Sequence, residues 1–295
     1  MNTKSTPRFL AVLLILIMPG FANAGQLYFE SAELAANTLY KAIEDKDRSA
    51  LEKLFGDDYE LLLPIEAVSD EQRQAFSEAW KHSYELVENN KDQKFILVGE
   101  NGWAFPVPLE KDEHGWSFDT RQGILEVRTR RIGRNELSAM QAVLAYYDAQ
   151  FEYASADRDG DGTMEYAQKF KSSAGKKDGL YWPLKEGQEL SPLGEYFAAE
   201  TVDDAYHGYH YKILTAQGDS APGGKQNYIK SGNMTGGFAL LAWPADYGET
   251  GIISFMVSHH GKLYEKNLGL NSENAASETT EFNPADGWVE SEEQP

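Results

Sequence analysis

The residues best suited to chemistry form one run, Asp157-Arg158-Asp159-Gly160-Asp161-Gly162. Carboxylates at alternate positions, closed by a glycine, match the front half of a twelve-residue calcium loop. In that frame Asp157, Asp159 and Asp161 take the first, third and fifth positions. Gly162 makes the sharp turn at the sixth, Thr163 offers its carbonyl at the seventh, and Glu165 occupies the ninth. The twelfth position asks for a bidentate glutamate and holds Gln168 instead. Calcium takes roughly six to eight hard oxygen ligands, so one missing carboxylate weakens the site to an expected Kd on the order of 10⁻⁴–10⁻³ M. Such an affinity suits a structural clamp between a helix ending near Ala154 and one starting near Glu165, rather than a sensor. The competing reading is an acidic turn that binds nothing.

A second constellation is Asp203-Asp204-Ala205-Tyr206-His207-Gly208-Tyr209-His210. Two acids beside two histidines suit a metal-dependent or acid–base hydrolase. On a strand, however, His207 and His210 differ in parity and face opposite sides of the sheet, so they cannot share an ion. His207 with Asp203 or Asp204, assisted by Tyr206, is the strongest catalytic candidate. The spacing does not indicate the geometry that acid–base work needs, and the reading leans away from an enzyme. His259 and His260 fail for the same reason of parity or because they sit in a turn. Ser191 and Ser231 lie in turns without a nucleophile-elbow pattern. A third option is glycan binding, with Tyr181-Trp182-Pro183 and Trp288 as stacking rings.

The start of the chain supplies an address. Lys4 and Arg8 precede an unbroken apolar run from Leu10 to Met18, then Pro19-Gly20 and the small-x-small site Ala22-Asn23-Ala24. This predicts a secretory signal peptide over 1–24, cut after Ala24. The apolar run is too short to cross a bilayer, so no integral membrane segment is expected after cleavage. The chain holds no cysteine, which removes disulfides, thiolate metal sites and cysteine nucleophiles. These features point to a bacterial periplasm, or alternatively to an extracellular destination. The formal charge of −20 disfavours nucleic acid and anionic membranes as partners. An envelope protein or a glycan fits better.

Positioning these groups falls to two domains, expected over 25–133 and 134–289, with a disordered acidic tail over 290–295. Ser31 caps a helix whose apolar face is Ala35, Leu39, Ala42 and Ile43, and Leu51, Leu54 and Phe55 form a second set. Ser69 with Gln72 makes a capping box, and the helix after it aligns Phe76, Trp80, Tyr84 and Val87. Then the period changes. Phe95–Val98, Trp116–Phe118 and Ile124–Val127 read as strands, and Trp103, Phe105 and Val107 alternate in a segment that Pro106 and Pro108 demote to an edge or a bend. Trp80, Trp103 and Trp116 are ordinary core aromatics or the lining of a pocket, and His82 and His114 are incidental. The basic cluster Arg128, Arg130, Arg131 and Arg134 reads as a linker. An apolar stripe of Leu137, Met140, Leu144, Tyr147, Phe151 and Ala154 follows, at helical spacing. The last third alternates strands and glycine turns: Tyr209–Ile213, the wholly apolar Phe238–Trp243, and a hairpin of Ile252–Val257 and Leu263–Glu265 through His259-His260-Gly261. The fold class is α+β.

The order of elements in the first domain resembles the cone-shaped folds of the nuclear-transport-factor type, in which a curved sheet wraps a helix. The long helix, acidic loop and antiparallel strands of the second, with Trp243-Pro244-Ala245-Asp246-Tyr247-Gly248-Glu249-Thr250-Gly251, resemble the soluble head of type IV pilins and pseudopilins. The hydrophobic assembly helix of a pilin is not matched. Across the mature chain, Arg131–Glu136, Asp178–Pro183, Ser191–Gly194, His207–Tyr209, Ile213–Gly218, Ala221–Gly224, Gly236–Ala239, Trp243-Pro244 and Tyr264–Lys266 resemble the secreted bacterial family called domain of unknown function 2950 (DUF2950). That resemblance implies export and a two-part architecture, and it brings no catalytic residues.

Overall fold

The computed structural model describes residues 25–62, 68–184, 189–194, 205–285 and 287–292. The expected leader over 1–24 and the candidates Asp203 and Asp204 lie outside the described residues. The chain is α+β and forms two compact units, Met1–Glu126 and Val127–Pro295. Among the described residues, no helix is long and apolar enough to cross a membrane.

In the first unit, α1 (Ala32–Glu44) starts where the Ser31 hydroxyl accepts the Leu34 N–H, and it buries Ala35, Leu39 and Ala42. Asp47 caps α2 (Arg48–Phe55), which buries Leu51, Leu54 and Phe55. A short α3 (Tyr59–Leu62) precedes α4 (Asp70–His82), whose capping box of Ser69 and Gln72 is complete in both directions. Five strands follow: β1 (Tyr84–Asn90), β2 (Gln93–Val98), β3 (Trp103–Ala104), β4 (Leu109–Asp112) and β5 (Gly115–Phe118). They form an antiparallel sheet in the order β1-β2-β4-β5, with β3 on β2.

Two expectations fail in this unit. Tyr84 and Val87 do not extend the α4 stripe; they lie in β1, paired with Val98 and Phe95. The turn formers Asn90, Lys91 and Asp92 dictate a hairpin, and a hairpin needs a strand on each side. Trp80 still stacks on Tyr84 across the junction, 4.5 Å between ring centres. Ile124–Val127 is not a strand but lies in α5 (Thr120–Tyr153). The Asp119 carboxylate accepts the Gln122 N–H and so caps this helix. Such a cap is worth about 1 kcal/mol, more than the few tenths that β-branched residues cost in a helix. Trp80 and Trp116 are buried as core and Trp103 is half exposed.

In the second unit α5 continues through the expected linker, so Arg128, Arg131 and Asn135 sit on a helix. Its buried face is Ala139, Ala142, Val143, Tyr146, Ala149, Gln150 and Tyr153. The expected stripe lies beside this face: Leu137 and Phe151 are exposed, and Met140, Leu144 and Tyr147 are half-buried. Small alanines let the helix axis approach its neighbours, and the larger residues cover the flank. The Phe151, Tyr147 and Tyr166 rings there all meet Phe238 edge-on.

The remaining strands are β6 (Tyr209–Leu214), β7 (Ala216–Gln217), β8 (Gln226–Asn227), β9 (Ile229–Lys230), β10 (Asn233–Met234), β11 (Ala239–Pro244), β12 (Ile253–Ser258), β13 (Leu263–Asn267) and β14 (Val289–Glu290). One antiparallel sheet runs β14-β13-β12-β11-β6. Strand β11, flanked by β12 and β6, is buried at every position, as its continuous apolar run requires. The β12–β13 hairpin turns through His259-His260-Gly261 as expected. A short helix, α6 (Ser272–Glu278), packs on β11, and its Glu273 accepts the indole N–H of Trp243 at 2.6 Å. Glu290, expected to open a frayed tail, instead pairs with Tyr264 in β14.

Candidate metal centre

The acidic loop hangs on the end of α5, and buried polar contacts fix that end. Arg158, second in the loop, turns away from it. Its side chain is 5% exposed, donates to the Glu152 and Tyr153 carbonyls and pairs with Glu189. A cation on the last carbonyls of a helix complements the negative end of its dipole. With the arginine facing backward, the three aspartates are free to converge. Gly160 and Gly162 take positive φ values of 83° and 92°, a conformation open to glycine at little steric cost.

One carboxylate oxygen from each of Asp157, Asp159 and Asp161 lies within 4.8 Å of the others, and all three residues are exposed. Backbone donors shape the cluster. Gly160 N–H and Gly162 N–H donate to the two oxygens of Asp157 at 2.8 and 2.9 Å, and Thr163 N–H donates to Asp161 at 2.7 Å. A carboxylate has about four lone-pair sites, so these bonds leave acceptor capacity for a cation.

The segment leaving the loop is not the expected helix. It runs extended, and Tyr166 bridges to Met234 of β10. The β9–β10 hairpin turns on Ser231 and Gly232, both at positive φ, and it grips the loop at three points. Asn233 donates its amide to Asp161. Met234 N–H donates to Glu165 at 2.8 Å, and Gln168 donates to the Gly232 carbonyl at 2.8 Å. From within, Gln150 holds both the N–H and the carbonyl of Ala167, at 2.8 and 2.9 Å. Of the six candidate ligands, the three aspartates form the cluster, Thr163 closes its turn, and Glu165 and Gln168 engage the hairpin.

Electrostatics follow this geometry. Burial pushes the Glu165 carboxyl above its ordinary value; the Met234 N–H opposes this, and the charges of Asp159 and Asp161 add to it. The Asn233 amide and the Thr163 N–H hold Asp161 below its ordinary value. The loop is therefore a focus of negative potential with few cations of its own.

The other candidates are not assembled in this way. His207 and Gly208 form a two-residue turn at positive φ, with Tyr206 and Tyr209 exchanging backbone hydrogen bonds across it. His207 is thus an exposed turn residue, not a strand residue, and His210 lies on β6 beside Trp243. Of the glycan rings, Trp182 is buried with its indole N–H on the Glu189 carbonyl, and Trp288 is partly buried against the core. A buried ring offers no stacking face.

Two sets of polar residues escaped the sequence reading. Asn233 and Gln150 hold the acidic loop from outside. Along α5, Arg131, Asn135 and Glu136 grip the turn before β12: Arg131 pairs with Glu249 at 2.6 Å, Asn135 donates to the Thr250 carbonyl, and Glu136 accepts the N–H groups of Ile252 and Ile253. Their partners lie about a hundred residues away. The only local signal was a cluster of polar residues in the middle of α5.

No curated protein and no solved structure matches the chain, so the cone and pilin resemblances gain no support from known structures. The model of one family, described as protein of unknown function (DUF2950), matches residues 26–290. The resemblance read from the motifs thus holds over most of the chain, and the chain belongs to the DUF2950 family.

Proposed function

We propose that the protein is an exported binding or assembly protein of the bacterial cell envelope, and that its acidic loop is a structural calcium clamp. The observation that carries the clamp is the convergence of three carboxylates within 4.8 Å on a loop tied at both ends. Three like charges at that separation repel one another, and a divalent cation relieves the repulsion. Calcium suits the donor set, since every group offered is a hard oxygen. The clamp would join the end of α5 to the β9–β10 hairpin. The partner we propose is an envelope protein, met by the surface that the clamp rigidifies.

Calorimetry and thermal melting with calcium test the clamp. At ten times Kd, a cation bound only by the folded loop adds about 1.4 kcal/mol. Asp157→Ala and Asp161→Ala abolish that gain. Gln168→Glu leaves affinity nearly unchanged, because position 168 is turned to Gly232. No heat and no shift in Tm up to about 10 mM calcium, some tenfold above the weakest extracellular affinity, would sink the clamp.

A further inference from the structure

The β12–β13 turn carries a half-buried titratable group, His259, with no role in the acidic loop. The imidazole of His259 packs flat against Gly237, where a Cβ would lie 2.4 Å from Nδ1. That Nδ1 is sealed from solvent and has no hydrogen-bond partner among the described residues. Tyr228 meets the ring edge-on at 5.3 Å, Phe238 lies at 6.2 Å, and the His260 ring sits 4.1 Å away. The slot requires glycine at 237, and Gly237 adopts a φ of 134°, a region that side-chain-bearing residues rarely enter.

A neutral imidazole fits this slot with the proton on Nε2, because a lone pair left without a donor costs less than an N–H left without an acceptor. The imidazolium does not fit. It must place an N–H at Nδ1, where no acceptor waits, and a positive charge among aromatic rings. Of the groups that face it, the Phe238 carbonyl favours the charged ring, less than burial and His260 oppose it, and the others give no compensation. Tyr228 spends its hydroxyl on Gln217 Oε1 at 2.9 Å. His260, in the same turn, adds a second positive charge when protonated. Tyr147 of α5 lies beside Gly261. Lys262, the next charge along the chain, is paired with Glu290.

We propose that the His259–Gly237 contact is an acid-released latch, in which protonation of the imidazole drives the ring from its slot and frees the Ser258–Gly261 turn. Burial, then the neighbouring His260, hold His259 below its ordinary value of 6.5, while the Phe238 carbonyl opposes them. The folded form therefore binds fewer protons than the open form. The latch holds above about pH 6.5 and weakens as pH falls through that value toward the lowered folded one. Phe238 behind the latch also packs on Tyr166, which bridges to β10, so release reaches the hairpin.

Two measurements on the mature chain test the latch. An NMR titration of the wild type follows the His259 ring; a midpoint below 6.5 supports the latch, and one at or above 6.5 overturns it. Hydrogen exchange of the His259 N–H, bonded to the Phe238 carbonyl at 3.0 Å, is compared between wild type and His259→Phe. After correction for intrinsic chemistry, opening in the wild type should rise by up to tenfold per pH unit below about 6.5. His259→Phe keeps a ring in the slot and should lose that rise. Parallel pH dependence in the two proteins would overturn the latch, as would a wild-type exchange rate that does not change with pH.

Discussion

Gln150 provides the sharpest test of how the acidic loop is held. Its amide is fully buried and makes three hydrogen bonds: it accepts the Ala167 N–H at 2.8 Å, and it donates to the Ala167 carbonyl at 2.9 Å and to the Tyr146 hydroxyl at 2.8 Å. Gln150→Leu keeps the bulk and removes all three. Two backbone groups of Ala167, itself buried, then lose their partners, at about 1–3 kcal/mol each. Burial of the leucine returns about 1–2 kcal/mol. A net loss of about 2–4 kcal/mol is expected, read by urea unfolding and by hydrogen exchange at Tyr166 and Ala167. Gln150→Glu separates hydrogen bonding from packing. A protonated glutamic acid can still donate to the Ala167 carbonyl, whereas a carboxylate faces that oxygen with no proton. Burial raises the folded pKa of this carboxyl above its unfolded value near 4.3. The variant is therefore penalised more as pH rises through 4.3, and the penalty shrinks below it. If Gln150→Leu stays within about 0.5 kcal/mol of wild type, or if Gln150→Glu shows no such pH dependence, Gln150 does not pin the segment.

The grip on the turn before β12 should depend on hydrogen bonds rather than on charge. Arg131→Ala removes a pair whose side chains are 45% and 40% exposed and should cost less than about 1 kcal/mol, whereas Glu136→Ala leaves two backbone N–H groups unpaired and should cost about 2 kcal/mol or more by denaturant unfolding; equal costs would contradict this. For export, mass spectrometry of a periplasmic fraction should find a chain that begins at Gly25, and intact Met1 in washed membranes would refute it.

Much of the fold was legible because local rules decided it. Ser31 and Ser69 cap the helices they were placed to cap, and most of the apolar run Phe238–Trp243 lies in the fully buried β11. The errors share a cause. Phe76, Trp80, Tyr84 and Val87 keep helical spacing across a junction where the chain changes from helix to strand, so periodicity alone could not end the helix. On α5 large apolar residues outweigh alanines in any hydrophobicity count, yet close packing selects the alanine face for the core. The linker reading of Arg128–Asn135 assumed that a charged stretch is irregular. There the charges are spaced along a helix, and Arg128 and Arg131 converge on one acid, Glu249.

The acidic loop shows where reading a motif stops being sufficient. Asp157, Asp159 and Asp161 converge because their spacing and glycines are local, and local geometry is what a motif encodes. The second half of the twelve-residue frame presumes an exit helix that brings the last carboxylate around to the ion. Here Gln150 and the β9–β10 hairpin hold that segment extended, with Tyr166 on Met234 and Ala167 on Gln150. Position 168 then has another task. Gln168 donates to the Gly232 carbonyl, a bond that a carboxylate cannot make. The glutamine that looks like a missing ligand in the frame is thus a donor that the hairpin uses. The loop's departure from the motif and its attachment to β10 are one feature, and it gives the clamp a physical role: whatever orders the three aspartates also orders the hairpin through Asn233.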